Sequence, residues 1–105
     1  AVYLGLGSGR FEEGIPFGAD EHTYAAAVAD MDRDGDADIV VGNVQGQNAV
    51  YLNDGSGRVW VEQKVGEEAE ATYGVATADL DGDGYPDIGF ANSEAVNRLF
   101  FNVGR

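Results

Sequence analysis

The chain has 105 residues, enough for one small domain, and its 44% hydrophobic content predicts a packed core rather than a disordered segment. Its formal net charge at pH 7 is −13, with 19 acidic residues against six Lys and Arg. Nucleic acids and anionic membrane surfaces attract basic proteins, so neither is expected as a partner, and cations are. The absence of cysteine excludes disulfides, thiolate zinc sites and cysteine nucleophiles. No membrane insertion is expected, because no apolar run reaches the about 18 residues that a membrane-spanning helix needs.

In chain order, the sequence predicts short strands separated by turns. The first ten residues, AVYLGLGSGR, contain the strand residues VYL and a Gly-Ser-Gly turn at 7–9. Further strands are predicted at AAAVAD, DIVVGN, NAVYLN and RVWVEQKV, and the last of these alternates apolar and polar residues with a period of two. Asp-Gly pairs at 34–35, 54–55 and 83–84 mark turns between strands. Sixteen glycines and the lack of a helical period argue against long helices.

Most of the chain is internally repeated. Residues 23–39, TYAAAVADMDRDGDADI, align with residues 72–88, TYGVATADLDGDGYPDI, at an offset of 49 positions. The same offset relates the start of NAVYLNDGSGR (48–58) to that of NRLFFNVGR (97–105), although the second copy lacks two residues of the turn. The first ten residues match AVYLNDGSGR. A fixed period of this length is typical of repeat architectures. We therefore divide the chain into a partial repeat at 1–22, a repeat at 23–71 and a repeat at 72–105.

The repeated unit resembles a known family. The pattern D-x-D-x-D-G-x-x-D, the apolar strand behind it, and the strand and turn NAVYLNDGSGR are similar to FG-GAP/VCBS-type repeats of integrin-α-like β-propellers. Four strands per period of about 49 residues is also the size of a propeller blade. The expected fold is therefore an all-β propeller unit of two four-stranded blades spanning residues 1–105, with the Ala-rich strand innermost. The resemblance implies calcium binding in the first loop of each blade and an extracellular, cell-surface or periplasmic location.

The spacing within each Asp-rich loop suits calcium, which takes about 6 to 8 oxygen ligands from carboxylates and backbone carbonyls. Aspartates at loop positions 1, 3, 5 and 9 would converge, position 7 would offer its carbonyl, and glycine at position 6 would permit the turn. The predicted ligands of the first loop are Asp30, Asp32, Asp34, the carbonyl of Asp36, and Asp38. Those of the second loop are Asp79, Asp81, Asp83, the carbonyl of Tyr85, and Asp87. The sequence thus predicts two Ca²⁺ sites per chain.

Other interpretations of the two loops are less favourable. An EF-hand needs a glutamate at position 12, where this chain has Val41 and Phe90. Magnesium prefers fewer protein ligands, and zinc prefers His or Cys. A solvated loop closed by Asx turns explains one copy, but two copies at the same phase of a repeat favour a metal.

Two blades alone would leave sheet faces and edge strands exposed, whereas a closed propeller has about 4 to 8 blades. The chain is therefore expected either to belong to a longer propeller or to form a closed ring with identical chains, and we favour the homo-oligomer. A segment shortened or rebuilt from a longer propeller is a further alternative.

An enzyme is not expected, and neither catalytic residues nor a cofactor besides Ca²⁺ are predicted. The only histidine, His22, has no nucleophile partner in a recognisable motif and is expected at the surface. The favoured function is a structural, adhesion or interaction module with a protein partner. The alternative is a lectin-like module that binds a glycan through an aromatic side chain such as Trp60, Tyr24 or Tyr73. Four asparagines at equal phase (43, 48, 92 and 97) suit either sugar binding or turn formation, and turns are favoured.

Overall fold

The computed structural model describes residues 1–18, 22–67 and 69–104, and all regular structure in these residues is β. None of these residues forms a helix that could cross a membrane. The strands are β1 (Thr23–Ala29), β2 (Asp38–Asn43), β3 (Ala49–Asn53), β4 (Trp60–Lys64), β5 (Ala71–Ala78), β6 (Asp87–Ser93) and β7 (Arg98–Phe100). The all-β expectation is confirmed.

The strands form two antiparallel sheets in which neighbours along the chain pair with each other. The first sheet has the order β1-β2-β3-β4 and the second has the order β5-β6-β7. Equivalent pairs repeat at the offset of 49, such as Ala27 with Val40 and Ala76 with Gly89. Within the described residues, the second sheet has three strands rather than the predicted four.

The main core lies between the two sheets. Met31, Val40 and Val50 from the first repeat pack against Ile88 and Phe90 from the second. The sheets approach closely where β1 and β2 meet β5. A methyl group at Gly42 would lie 2.7 Å from Cγ2 of Thr72 and 2.9 Å from Cγ2 of Val75. Small side chains in this region therefore allow the close packing of the sheets that the Ala-rich strands predict.

The first 18 residues lie against the opposite face of the first sheet. Val2 pairs with Ile15 and Gly5 pairs with Phe11 in isolated antiparallel bridges. The ring of Phe17 lies 5.1 Å from that of Tyr51 and 5.9 Å from that of Trp60, measured between ring centroids. Since residues 1–10 match residues 49–58 in sequence, this segment is an additional copy of the β3 turn region packed onto the first sheet.

Candidate metal centre

The two Asp-rich loops occupy the same place in their sheets. Residues 30–37 connect β1 to β2, and residues 79–86 connect β5 to β6. In each loop the last aspartate of the pattern, Asp38 or Asp87, is the first residue of the following strand. The sheets therefore fix both ends of each loop.

Three carboxylates converge in each loop. Asp30, Asp32 and Asp38 each offer an oxygen, and these oxygens lie within 4.8 Å of one another. The equivalent residues of the second loop are grouped within the same distance, namely Asp79, Asp81 and Asp87. The same three pattern positions are thus brought together twice, once between β1 and β2 and once between β5 and β6.

The remaining predicted ligands lie outside these two groups. Asp34 is at the tip of its loop, where its Oδ1 accepts a hydrogen bond of 2.9 Å from the backbone N–H of Asp36. Asp83 accepts the equivalent bond of 3.0 Å from Tyr85. These contacts hold the backbone at position 7, and the metal ligands of both loops, including the carbonyls of Asp36 and Tyr85, stay predictions.

The first aspartate of each pattern organises the turn. Oδ2 of Asp30 accepts a hydrogen bond of 2.9 Å from the Gly35 N–H, and Oδ2 of Asp79 accepts one of 2.8 Å from Gly84. Gly35 has φ +93° and Gly84 has φ +91°, a left-handed conformation that side chains disfavour. Position 4 of each loop is also left-handed, with φ +58° at Arg33 and φ +78° at Gly82, but only position 6 is glycine in both loops.

The last aspartate of each pattern is fully buried and accepts two backbone hydrogen bonds. Oδ2 of Asp38 accepts one of 2.8 Å from the Met31 N–H, and Oδ1 accepts one of 2.9 Å from the Asn53 N–H at the end of β3. Asp87 repeats this with the N–H groups of Leu80 (2.7 Å) and Asn102 (2.8 Å). Each buried carboxylate therefore joins its loop to the third strand of its sheet.

Negative charge within the loops is only partly compensated by these backbone donors. Desolvation, a hydrogen bond with the Asp34 carboxyl and the negative charges of Asp38 and Asp34 raise the pKa of Asp32 to about 6. The pKa of Asp81 is likewise raised, chiefly by desolvation and the nearby Asp83. A raised pKa means that the surroundings disfavour the ionised carboxylate, and a bound cation would favour it.

These donors fit a hard divalent cation. All side chains in the two groups are carboxylates, and neither group contains the imidazole or thiolate that borderline metals prefer. Three oxygens within reach of one centre also leave room for the further carboxylate, carbonyl and water ligands that calcium takes. The residues therefore fit the calcium that the sequence predicts.

Comparison with known families matches the chain to a model described as the FG-GAP-like repeat, at residues 1–41 and 30–90. The chain belongs to the FG-GAP-like repeat family. The second match begins at Asp30 and includes both Asp-rich loops, so the candidate sites lie within the family match. FG-GAP-like repeats generally serve as structural or interaction modules rather than as enzymes. Comparison with curated proteins and with solved structures found no significant match.

Sequence reasoning missed two residues of these FG-GAP-like repeats, Asn53 and Asn102. Both directly follow the third strand's apolar run, and their backbone N–H groups donate to the buried aspartates. Their side-chain Oδ1 atoms accept hydrogen bonds of 2.9 Å from Gly55 and Gly104 in the turns that follow. Asn53 and Asn102 are 49 positions apart, which is the offset that also relates the aspartates of the two loops. This repetition could have identified them from the sequence.

The four asparagines at positions 43, 48, 92 and 97, which recur at the same places in the two repeats, form turns as predicted. The backbone N–H of Asn43 donates to Oδ1 of Asn48 at 2.7 Å, and that of Asn92 donates to Oδ1 of Asn97 at 2.9 Å. Each pair spans the turn between the second and third strands of its sheet. These bonds hold the turns, and the Asn48 amide also donates to Oγ1 of Thr72 in the second sheet, at 2.9 Å.

The aromatic residues named for glycan binding lie in two places, Trp60 beside Phe17, and Tyr24 beside Tyr73. The indole N–H of Trp60 donates to the Gly57 carbonyl at 3.1 Å while its ring lies against Phe17. Tyr24 and Tyr73 are exposed and contact each other edge to face, 4.9 Å between centroids. Carbohydrate binding stays an untested alternative. His22 is exposed, as expected.

Proposed function

We propose that the chain is a calcium-binding β-propeller module, extracellular or at the cell surface, with a structural, adhesion or interaction role. The observation that carries the proposal is the convergence of three carboxylates at the same pattern positions in both loops. Calcium would be held by the predicted Asp ligands of each loop, together with the carbonyls at position 7. Its chemistry here is charge compensation and cross-linking of the chain, not catalysis.

The buried aspartates explain how a bound ion would act on the fold. Asp38 joins the loop after β1 to the start of β2 and, through the Asn53 N–H, to the end of β3. A cation bound by Asp30, Asp32 and Asp38 would therefore connect β1, β2 and β3, because Asp38 contacts the loop after β1, begins β2 and binds the end of β3. Binding to the folded state alone stabilises that state by mass action.

We expect calorimetric titration to give two calcium ions per chain, with magnesium bound more weakly. Asp81→Ala removes one carboxylate from the second group, so the stoichiometry of tight binding should fall to one. Asp36→Ala is the matched control, because it removes a loop carboxylate that lies outside the groups, and it should leave two ions bound. Absence of calcium binding by the unmodified chain would overturn the proposal.

We further propose that identical copies of the chain assemble head to tail toward a closed ring. The internal repeat supports this step. Met31 and Val50 in the first repeat are 6% and 5% exposed, because the second sheet covers them. Their equivalents Leu80 and Leu99 are 53% and 61% exposed, and Phe101 beside them is 53% exposed. The second sheet thus leaves an apolar face exposed within one chain, and the sheet of a neighbouring copy would bury that face.

The mass of the chain in solution tests this assembly. Light scattering at micromolar concentration with calcium should give a mass several times that of one 11.1 kDa chain. Leu99→Glu places a charge on the exposed face and should yield the monomer, since burying an unpaired charge is costly. Val96→Glu is the control, because Val96 is also exposed but lies in the turn before β7. A monomeric unmodified chain in calcium would refute the ring.

A further inference from the structure

A continuous line of hydrogen bonds joins the two Asp-rich loops. The buried Asp38 accepts a bond of 2.8 Å from the Met31 N–H. The Met31 carbonyl in turn accepts one of 2.6 Å from the side-chain amide of Asn102. The backbone N–H of Asn102 donates to Oδ1 of the buried Asp87 at 2.8 Å. Two residues, Met31 and Asn102, therefore connect the closing carboxylates of both candidate metal sites.

A second contact links the exposed parts of the loops. The guanidinium carbon of Arg33, from the first loop, lies 5.6 Å from the ring centroid of Tyr85 in the second. One guanidinium nitrogen lies 2.6 Å from the position that a methyl group on Gly84 would occupy. A positive group therefore lies against the turn of the second loop, beside the predicted carbonyl ligand.

The first repeat shows that the inter-loop bond is not required for the local turn. Asn53 is equivalent to Asn102, and its backbone N–H makes the same bond to the buried aspartate of its own repeat. Its side-chain amide, however, donates to the Ala37 carbonyl within its own loop, at 3.1 Å. The two asparagines thus share the backbone bond and the capping bond, and differ in whether the amide reaches another loop.

We propose that Asn102 is a positioning residue that couples the two calcium loops, so that an ion in either loop raises the affinity of the other. This inference rests on the proposed calcium-binding function. An ion in the first loop would fix Asp38 and, through it, the Met31 backbone. Met31 then holds the Asn102 side chain, and the Asn102 backbone N–H holds Asp87. Binding in the second loop therefore has less conformational entropy left to lose, which is positive coupling.

The test compares the affinity of each loop when the other is intact and when it is disabled by Asp32→Ala or Asp81→Ala. We expect each loop of the intact chain to bind calcium about 5-fold or more tightly than in the variant whose other loop is disabled. Asn102→Asp keeps the oxygen that caps Gly104 but replaces the amide donor with an oxygen, so it should reduce this ratio to about one. Asn53→Asp adds the same charge at the equivalent position and should leave the ratio unchanged. If Asn102→Asp does not fold, Asn102→Ala makes the same comparison with Asn53→Ala as its control, because both lose the capping oxygen and only Asn102→Ala loses the bond between the loops.

Hydrogen exchange gives a readout that a purely structural role would not change. In the Asp81→Ala chain, calcium filling the first loop should slow exchange of the Asn102 and Leu80 backbone amides, which donate to Asp87. Adding Asn102→Asp should remove that protection while calcium still binds the first loop. If each loop binds calcium equally tightly in the unmodified chain and in the variant whose other loop is disabled, the coupling is wrong and the calcium proposal stands. If neither loop binds calcium, the proposed function itself is wrong.

Discussion

Replacing Asp38 with alanine will lower the free energy of unfolding of the metal-free protein by about 2 to 5 kcal/mol, because two backbone N–H groups lose the buried carboxylate that accepts their hydrogen bonds. The carboxylate is fully buried, and it accepts the backbone N–H groups of Met31 and Asn53. Asp38→Asn keeps one acceptor and turns a donor toward the other N–H. Its loss of unfolding free energy should therefore be smaller than that of Asp38→Ala. Urea unfolding in the presence of a chelator measures the loss without any contribution from bound calcium.

Asp36→Ala is the matched control for this prediction. It removes the same negative charge from the same loop, but desolvation and the nearby charges of Asp34, Asp30 and Asp38 raise the pKa of Asp36. Removing that carboxylate therefore relieves repulsion and should leave stability unchanged or slightly increased. Equal losses for Asp36→Ala and Asp38→Ala would mean that the two hydrogen bonds to the buried carboxylate contribute nothing to folding.

The local part of the candidate site could be predicted from the sequence, because it depends on spacing within one loop. Aspartates two positions apart converge when the chain curls, and glycine at position 6 readily adopts the left-handed backbone that most side chains disfavour. Asp30 and Gly35 behave in this way, and the repeat supplies the same arrangement at Asp79 and Gly84. The strands followed from the same kind of local pattern.

The long-range part of the site could not be predicted, since it depends on strand register. Pairing of β2 with β3 ends at Ile39 opposite Tyr51, and just beyond this the N–H of Asn53 meets the carboxylate of Asp38. Nothing in the local spacing says which N–H groups of a strand 15 residues away remain unpaired. The contact from Asn102 to Met31 depends additionally on how one sheet packs against the next.

The same limit explains the exposed apolar face. Leu80 and Leu99 match buried residues of the first repeat, so their sequence predicts core positions. Their exposure follows from the absence of a covering sheet within the described part of the chain. The spacing of apolar residues along a strand indicates which face of the strand is apolar, but not which part of the protein covers that face.

Calcium at a hundredfold excess over its dissociation constant will raise the melting temperature by about 10 °C or more, and a chelator will reverse the change. One site filled to that extent stabilises by about 2.7 kcal/mol, and each kcal/mol shifts the melting of a domain near this size by about 4 to 8 °C. The chain with both Asp32→Ala and Asp81→Ala should melt at the same temperature with calcium or chelator, because each group has lost a carboxylate. Chain concentration must be held constant, since assembly also raises the melting temperature. An unmodified chain that melts identically in calcium and in chelator would show that these carboxylates do not hold a stabilising ion.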